Sequence, residues 1–315
     1  MTQKSQTGLS ETHLDKLGII YGIIGAALFS TKPILIKYIY EYGVETSVLM
    51  TLRMAFSLPF YLVFGFFAIK QRRAAQTPTD FSFNTIALTA LIGVGGYYVA
   101  SFLDLEGLTR ITAQFERLIL FTYPVFVVIL GAIFFGNKIT LSTVISLGLT
   151  YAGLAVIFSH DLNSFGADVT NGALLVLGAA FVFACYVVFS KDQITKLGSR
   201  LFTCIAMIAA SFAIALHFSI FSQIQNLIQP WQVYGLVLLI AIFATVIPTF
   251  FIAEAIARIG SGPASILGSA GPIFTILMAT TLLGEAFTQS HLFGTSLIVA
   301  GVAWLAWPKS NKRPI

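Results

Sequence analysis

The chain has 315 residues, of which 57% are hydrophobic and only 10% charged, and its mean hydropathy is +0.88. A soluble domain carries about 25% charged residues, so these ions cannot cover a water-facing surface and a soluble fold is excluded. The net charge of +5 does not call for nucleic acid as a partner: the cations stand singly in short loops between apolar runs, which is a pattern of membrane topology.

Residues 1–16 form a polar tail without a cleavable signal, and the first apolar run is too long for a signal h-region, so it reads as a retained anchor. A helix needs about 20 apolar residues to cross the hydrocarbon core. On that basis transmembrane helices are expected at 17–39, 46–69, 84–106, 111–135, 141–159, 171–190, 201–221, 233–257, 262–283 and 290–307. Turn-like connectors such as 70–83, 160–170 and 223–232 separate them, and a basic tail follows at 308–315. Strands would leave unpaired backbone groups in lipid, and no barrel-like alternation is visible. The fold class is therefore an all-α polytopic membrane protein of ten transmembrane helices.

The cations set the orientation. With a cytoplasmic N-terminus, the inner segments hold Lys4, Lys16, Lys70, Arg72, Arg73, Lys138, Lys191, Lys196, Arg200, Arg258, Lys309, Lys312 and Arg313. The outer segments hold only Lys37 and Arg110, while Lys32, Arg53 and Arg117 fall within spans. The excess of inner cations places both termini in the cytoplasm. Cys185 and Cys204 lie in apolar runs without metal-ligand spacing and read as small hydrophobes.

The chain repeats itself. At an offset of 148, residues 106–155 align without a gap onto 254–303 with twelve identities. These include Glu106/Glu254, Arg110/Arg258, Pro124/Pro272, Gly136/Gly284 and Gly153/Gly301. Each copy holds five helices, an odd number, so the second enters from the opposite face. The expected organisation is one repeat over 17–159, an outer connecting loop over 160–170, and an inverted repeat over 171–307. Inverted repeats give secondary transporters their two access states around a site near the midplane.

These residues carry a resemblance to the drug/metabolite transporter superfamily, specifically its EamA-type members, over about residues 17–307. The first-helix pattern is Ala26-Ala27-Leu28-Phe29-Ser30-Thr31-Lys32-Pro33, followed by Lys37. Arg53 matches an arginine early in the second helix, Pro124 and Pro272 match mid-helix prolines, and Gly284-Glu285 matches the Gly-Glu that ends the ninth helix. The fourth helix departs from that pattern and ends Gly136-Asn137-Lys138. The resemblance implies a ten-helix carrier that moves small metabolites, often outward, without ATP.

Ionisable groups inside spans are costly and need partners or a polar cavity. Counting along the helices puts Lys32, Arg53, Glu116 and Arg117 at one level in the outer half of the bilayer. Tyr97 and Tyr98 reach a similar depth, and Gln114, Tyr123 and Tyr186 complete the candidate substrate-binding set. Three cations against Glu116 suit a carboxylate or other anion, with Arg117 as the best direct ligand. Two other readings stand beside this one: Glu116 pairs with Arg53 or Lys32 in a structural network, or Arg53 snorkels to the outer interface. Glu116 and Arg117 face Ala264 and Ser265 in the second copy, which favours a substrate-specific role.

Pro124, Pro272, Gly268 and Gly271 are helix-break or hinge candidates. Glu106, Arg110, Glu254 and Arg258 are gate elements or end anchors, spaced for helical ion pairs. Asp104 and His291 read as interfacial. Neither a GxxxxGK[ST] motif nor a GxGxxG motif behind a strand is present. No cofactor, metal, nucleic acid or catalytic residue is expected.

The expected activity is alternating-access secondary transport in the plasma membrane (the inner membrane in a bacterium). It would export an amino acid or other carboxylate-bearing metabolite, with Glu116 as the candidate for proton coupling. The alternative is a flippase for a lipid or lipid-linked headgroup. The expected partners are the small-molecule substrate and the bilayer, and oligomeric state is not encoded in any of these features.

Overall fold

The computed structural model describes residues 16–306 apart from 78, 137, 138, 140, 166, 167 and 260–269. Among the described residues every regular element is helical. Seven helices are long and apolar enough to cross a bilayer, and two shorter apolar helices lie at Val144–His160 and Gly271–Leu282. The chain is a multi-pass membrane protein.

Several of these helices are interrupted near their middles, for identifiable reasons. The first consists of α1 (Lys16–Ser30) and α2 (Lys32–Tyr40), with Pro33 in the first turn of α2. Proline has no N–H to continue the ladder. After α3 (Thr46–Ala74), the next apolar helix runs as α4 (Phe83–Gly93), a π-helical turn π1 (Val94–Val99), and α5 (Ala100–Leu108). The following one consists of α6 (Ala113–Leu120) and α7 (Tyr123–Phe135). Pro124 was expected to break this helix from within. Instead it sits in the first turn of α7, where its missing donor costs nothing, and the irregularity lies just before it at Phe121–Thr122.

The second half begins after α8 (Leu141–Phe165) and comprises α9 (Asp168–Leu197), α10 (Ser199–Phe221), α11 (Trp231–Ala241), π2 (Ile242–Val246), α12 (Ile247–Ile259), α13 (Ala270–Leu282) and α14 (Gln289–Ala306). Pro272 and Gly271 lie in the first turn of α13, and Gly268 lies outside the described residues. Much of the connector expected at 160–170 is helical, because α8 runs to Phe165 and α9 starts at Asp168. Hydropathy marks where the hydrocarbon ends, and helices continue past that point into polar sequence.

The repeat extends beyond the residues that match by identity. An offset of 148 carries π1 onto π2, although Val94-Gly95-Gly96-Tyr97-Tyr98 and Ile242-Phe243-Ala244-Thr245-Val246 share no residue. Gly136 and Gly284 end α7 and α13 with φ of +66° and +67°, a left-handed cap that glycine adopts without strain. Packing follows the same exchange: α1 lies on α12 and α5 on α9, while α3 pairs with its own counterpart α10. The helices α8 and α14 cross where glycines let the backbones touch. A Cβ on Gly153 would stand 2.5 Å from the Gly294 carbonyl oxygen, and one on Gly301 would stand 2.8 Å from that of Ser146. The repeat offset relates these two contacts, since it carries residue 146 to 294 and residue 153 to 301.

The crossing supplies a test of the scaffold. Gly153→Ala and Gly301→Ala push a methyl into backbone on the opposing helix and should each destabilise by about 1–3 kcal/mol. Gly148→Ala, on α8 with nothing within 4 Å, should leave the melting temperature of detergent-purified protein unchanged or raise it. Equal behaviour of all three variants would contradict the close crossing.

Candidate functional site

The interruption of the first helix creates the site. Pro33 cannot donate to the carbonyl of Phe29, and Arg117 Nη2 of α6 takes that place at 3.1 Å. Thr31 Oγ1 donates to the Leu28 carbonyl at 2.7 Å, and Thr275 Oγ1 of α13 donates to that of Ser30 at 3.2 Å. Ser30 Oγ in turn donates to the Gly271 carbonyl at 2.9 Å. Both halves of the chain therefore hold the break, and Gly271 is placed against it.

Lys32 opens α2 directly after this break. Its Nζ lies 2.7 Å from Asp104 Oδ2 of α5. Asp104 is not interfacial, as its position near the expected end of a span suggested; it is 4% exposed. Its carboxyl group also comes within hydrogen-bonding reach of Glu116 on α6. Glu116 is 1% exposed, and its Oε2 lies 3.9 Å from Arg117 Nε. Arg53 of α3 is 3% exposed, which rules out the snorkelling reading. It stands within electrostatic reach of Asp104, Tyr40 and Tyr61. Lys32 thus pairs with Asp104, not with Glu116, and three cations face two carboxylates instead of one.

The cluster keeps unused bonding capacity. Asp104 Oδ1, Glu116 Oε2, Arg53 Nε and Arg117 Nε are buried without a hydrogen-bond partner; both amide atoms of Gln114 are too, but two positions before Glu116 they project from a different face of α6. Buried polar groups are otherwise almost always paired, and an unpaired one costs about 1–3 kcal/mol. A concentration of such groups in one place is a feature of a binding site.

At the start of α6, Thr112 Oγ1 accepts from the Phe115 amide at 3.1 Å. Glu285, from the end of the second repeat's α13, accepts from the amides of Ala113 and Gln114 at 2.7 and 3.1 Å. Its negative charge is favourably placed at a helix N-terminus. Lys37 Nζ donates to the Ile111 carbonyl at 2.6 Å beside this junction. The Gly284-Glu285 pair therefore ends one helix and caps another.

The tyrosines divide. In π1, Tyr97 hydroxyl meets that of Tyr186 at 3.1 Å, and the Tyr186 ring packs on Gly96, where any Cβ would clash at 2.5 Å. Tyr61, fully buried in α3, lies in the neighbourhood of both Tyr97 and Arg53. Tyr98 turns away, and its hydroxyl lies 2.5 Å from His217 Nδ1 of α10. Tyr123 packs among rings, 6.2 Å from Phe121 and 5.1 Å from Phe183. Sequence reasoning missed Asp104, Tyr61 and His217. For Asp104 a signal existed, since three buried cations needed more than one acid. His291 is buried at the start of α14, with Nδ1 2.8 Å from Thr288 Oγ1.

The two symmetry-related ion pairs sit at helix ends, and the first is joined to the edge of this cluster by Thr46 and the Tyr40 hydroxyl, 3.3 Å apart. Arg110 Nη2 lies 3.0 Å from Glu106 Oε1, and Thr46 Oγ1 at the start of α3 donates to Glu106 Oε2 at 3.0 Å. In the other copy Arg258 Nε lies 2.9 Å from Glu254 Oε1, and Arg200 near the start of α10 reaches Glu254 Oε2 at 3.5 Å. Each glutamate ties equivalent helix ends together, one set in each half.

The profile of the EamA-like transporter family matches this chain twice, over residues 16–159 and 170–307. The chain is 30% identical over 288 residues to a Bacillus subtilis (strain 168) protein named uncharacterized transporter YcbK, covering 88% of each chain. It is 26% identical over 212 residues to an uncharacterized transporter of Archaeoglobus fulgidus, covering 67% of this chain and 73% of that one. A solved crystal structure at 17% identity superposes with a TM-score of 0.63, covering 91% of this chain and 96% of its own. That likeness concerns the fold alone.

The Lys32–Asp104 pair can be weighed by a double-mutant cycle. Lys32→Met and Asp104→Leu each leave one buried charge uncompensated and should cost about 3–5 kcal/mol. The double variant should recover most of that loss in melting temperature. Additive losses would mean that the two groups do not stabilise one another.

Proposed function

The chain belongs to the EamA-like transporter family, and on that premise we propose that it is an alternating-access secondary transporter of the plasma membrane that exports a small carboxylate-bearing metabolite, such as an amino acid. The observation that carries this reading is the cluster of Lys32, Arg53, Asp104, Glu116 and Arg117, buried beside the break between α1 and α2 and rich in unpartnered polar atoms. Three cations facing two carboxylates leave a positive excess that one substrate carboxylate neutralises. Arg117 offers the planar fork suited to it.

In this reading the chain has ten membrane helices in two inverted five-helix repeats, with both termini cytoplasmic. The described cations support the orientation. Arg72 packs against Gly198, and Arg200, Glu254 and Arg258 join the ends of α10 and α12, so the basic helix ends gather on one face as positive-inside topology requires. The two glutamate-centred ties then act as gates on opposite faces, Glu106 outside and Glu254 inside. Interrupted helices and π turns in both repeats mark the level at which the halves move around the site. The chemistry is binding and release without a covalent step.

A lipid-headgroup flippase remains a second reading because a groove of about 310 Å³ opens between α5 and α9, lined by Leu103, Arg110, Asn171, Leu174, Leu175 and Gly178. A thermal-shift screen of detergent-purified protein separates the two. The panel comprises neutral, cationic and anionic amino acids, organic acids, phosphorylated metabolites and phospholipids. The transporter reading predicts stabilisation by a carboxylate-bearing class in wild type, at least tenfold weaker in apparent affinity in Arg117→Ala and partly restored in Arg117→Lys. Stabilisation by phospholipid alone would favour the flippase, and equal responses of wild type and Arg117→Ala would remove the cluster from the binding site.

A further inference from the structure

Asp104 and Glu116 are on different helices, α5 and α6, yet their carboxyl groups face each other within hydrogen-bonding reach. Both residues are more than nine-tenths buried, and each keeps a buried oxygen, Asp104 Oδ1 and Glu116 Oε2, that finds no protein donor. Two ionised carboxylates in contact away from water repel one another and leave those oxygens unsatisfied. One proton between them removes the repulsion and supplies the missing donor. We propose that Asp104 and Glu116 form a shared proton site and that loading it favours binding of an anion at Lys32 and Arg117. This inference rests on the transport reading above and names the ion coupled to it.

The linkage follows from who faces the pair. Lys32 approaches from α2, Arg53 from α3 and Arg117 from α6; Lys37 of α2 stands nearer Glu285 than Glu116, and the hydroxyl of Tyr40 lies alongside, with Glu106 beyond Thr46. When both acids are ionised they act as internal counterions and compete with a substrate carboxylate for Lys32 and Arg117. With both acids ionised one positive charge is left over; one proton on the pair raises that excess to two, and an incoming anion is held more strongly. Proton and anion then bind together and leave together. Net export of a metabolic acid down its own gradient carries its proton out with it. Because taking up an anion takes up one proton, apparent anion affinity should fall about tenfold per pH unit above the titration of the pair.

The proton can be observed without any substrate. Infrared pH-difference spectra of the full-length protein, purified in detergent, report the C=O stretch of protonated carboxylic acids. The expected result is a band in wild type that Glu116→Gln and Asp104→Asn each abolish and Glu45→Gln, at an exposed position, preserves. A wild-type spectrum without such a band, or a band that both variants keep, overturns the shared proton site, whatever the substrate proves to be. In the second arm, sodium acetate is the carboxylate probe against sodium chloride at equal ionic strength, read by melting temperature and by proton uptake with a pH-indicator dye. Wild type should bind acetate more tightly at mildly acidic than at mildly alkaline pH and take up close to one proton, and Glu116→Gln should lose both effects. Acetate binding that is pH-independent in wild type overturns the coupling while leaving the transport reading intact. If either variant fails to fold, the wild-type band and the wild-type proton count still decide the question.

Discussion

The constraint on which the rest of the structure depends is the cost of placing ions in a membrane interior, at least about 2.5–3.5 kcal/mol for each charge at a helix centre. This chain places five ionisable groups together: Lys32, Arg53, Asp104, Glu116 and Arg117. The surrounding architecture reduces that cost. Pro33 breaks the first helix and frees the Phe29 carbonyl, which becomes an acceptor for Arg117. Asp104 is carried to Lys32 by a helix whose register shifts at a π turn. Glu285 of the other repeat steadies the α6 N-terminus from which Glu116 and Arg117 project. The ionised groups left with an unsatisfied atom are all in this cluster among the described residues, where a ligand or a proton can complete them.

The repeat supplies a symmetric frame, and the site arises where the symmetry fails. The π turns, the left-handed glycine ends of α7 and α13, the glycine crossing of α8 and α14, and the two glutamate-centred ties all occur in both halves. In the proposed cycle these elements are what the two halves, similar in shape, would rock upon. By contrast, α1 and α2 are split where their counterpart α9 runs unbroken over Asp168–Leu197. Only the first copy carries Glu116 and Arg117; the second has Ala264 and Ser265 there. A frame built twice and a site built once are consistent with a single substrate path through a two-state scaffold.

Much of this was legible in the chain itself, because hydrophobic length and internal identity are strong signals. The apolar runs located the helices, and the offset of 148 found the glycines and ion pairs that later proved equivalent in space. Helix ends were less legible, since α3, α8 and α9 continue into polar sequence where no loss of hydropathy stops a helix. The two π turns share no residue at equivalent positions, so the identities that located the repeat could not locate them. Asp104 was misplaced because depth was counted from the end of an apolar run, whereas the partner that fixes it, Lys32, lies 72 positions away. Tyr61 and His217 are ordinary residues in apolar helices, and only their neighbours in space, Arg53 near the one and Tyr98 bonded to the other, distinguish them.

The central claim is that this buried cluster lies on a path open in turn to either face of the membrane. Thr31 reports on it, standing in the break between α1 and α2 directly before Lys32. The direct measurement is labelling of Thr31→Cys, in a background lacking Cys185 and Cys204, by a membrane-impermeant maleimide in sealed vesicles of both orientations. The account predicts reaction from both sides, slowed by a bound carboxylate. Reaction from neither side, or from one side only, would contradict it and leave the cluster a fixed structural network.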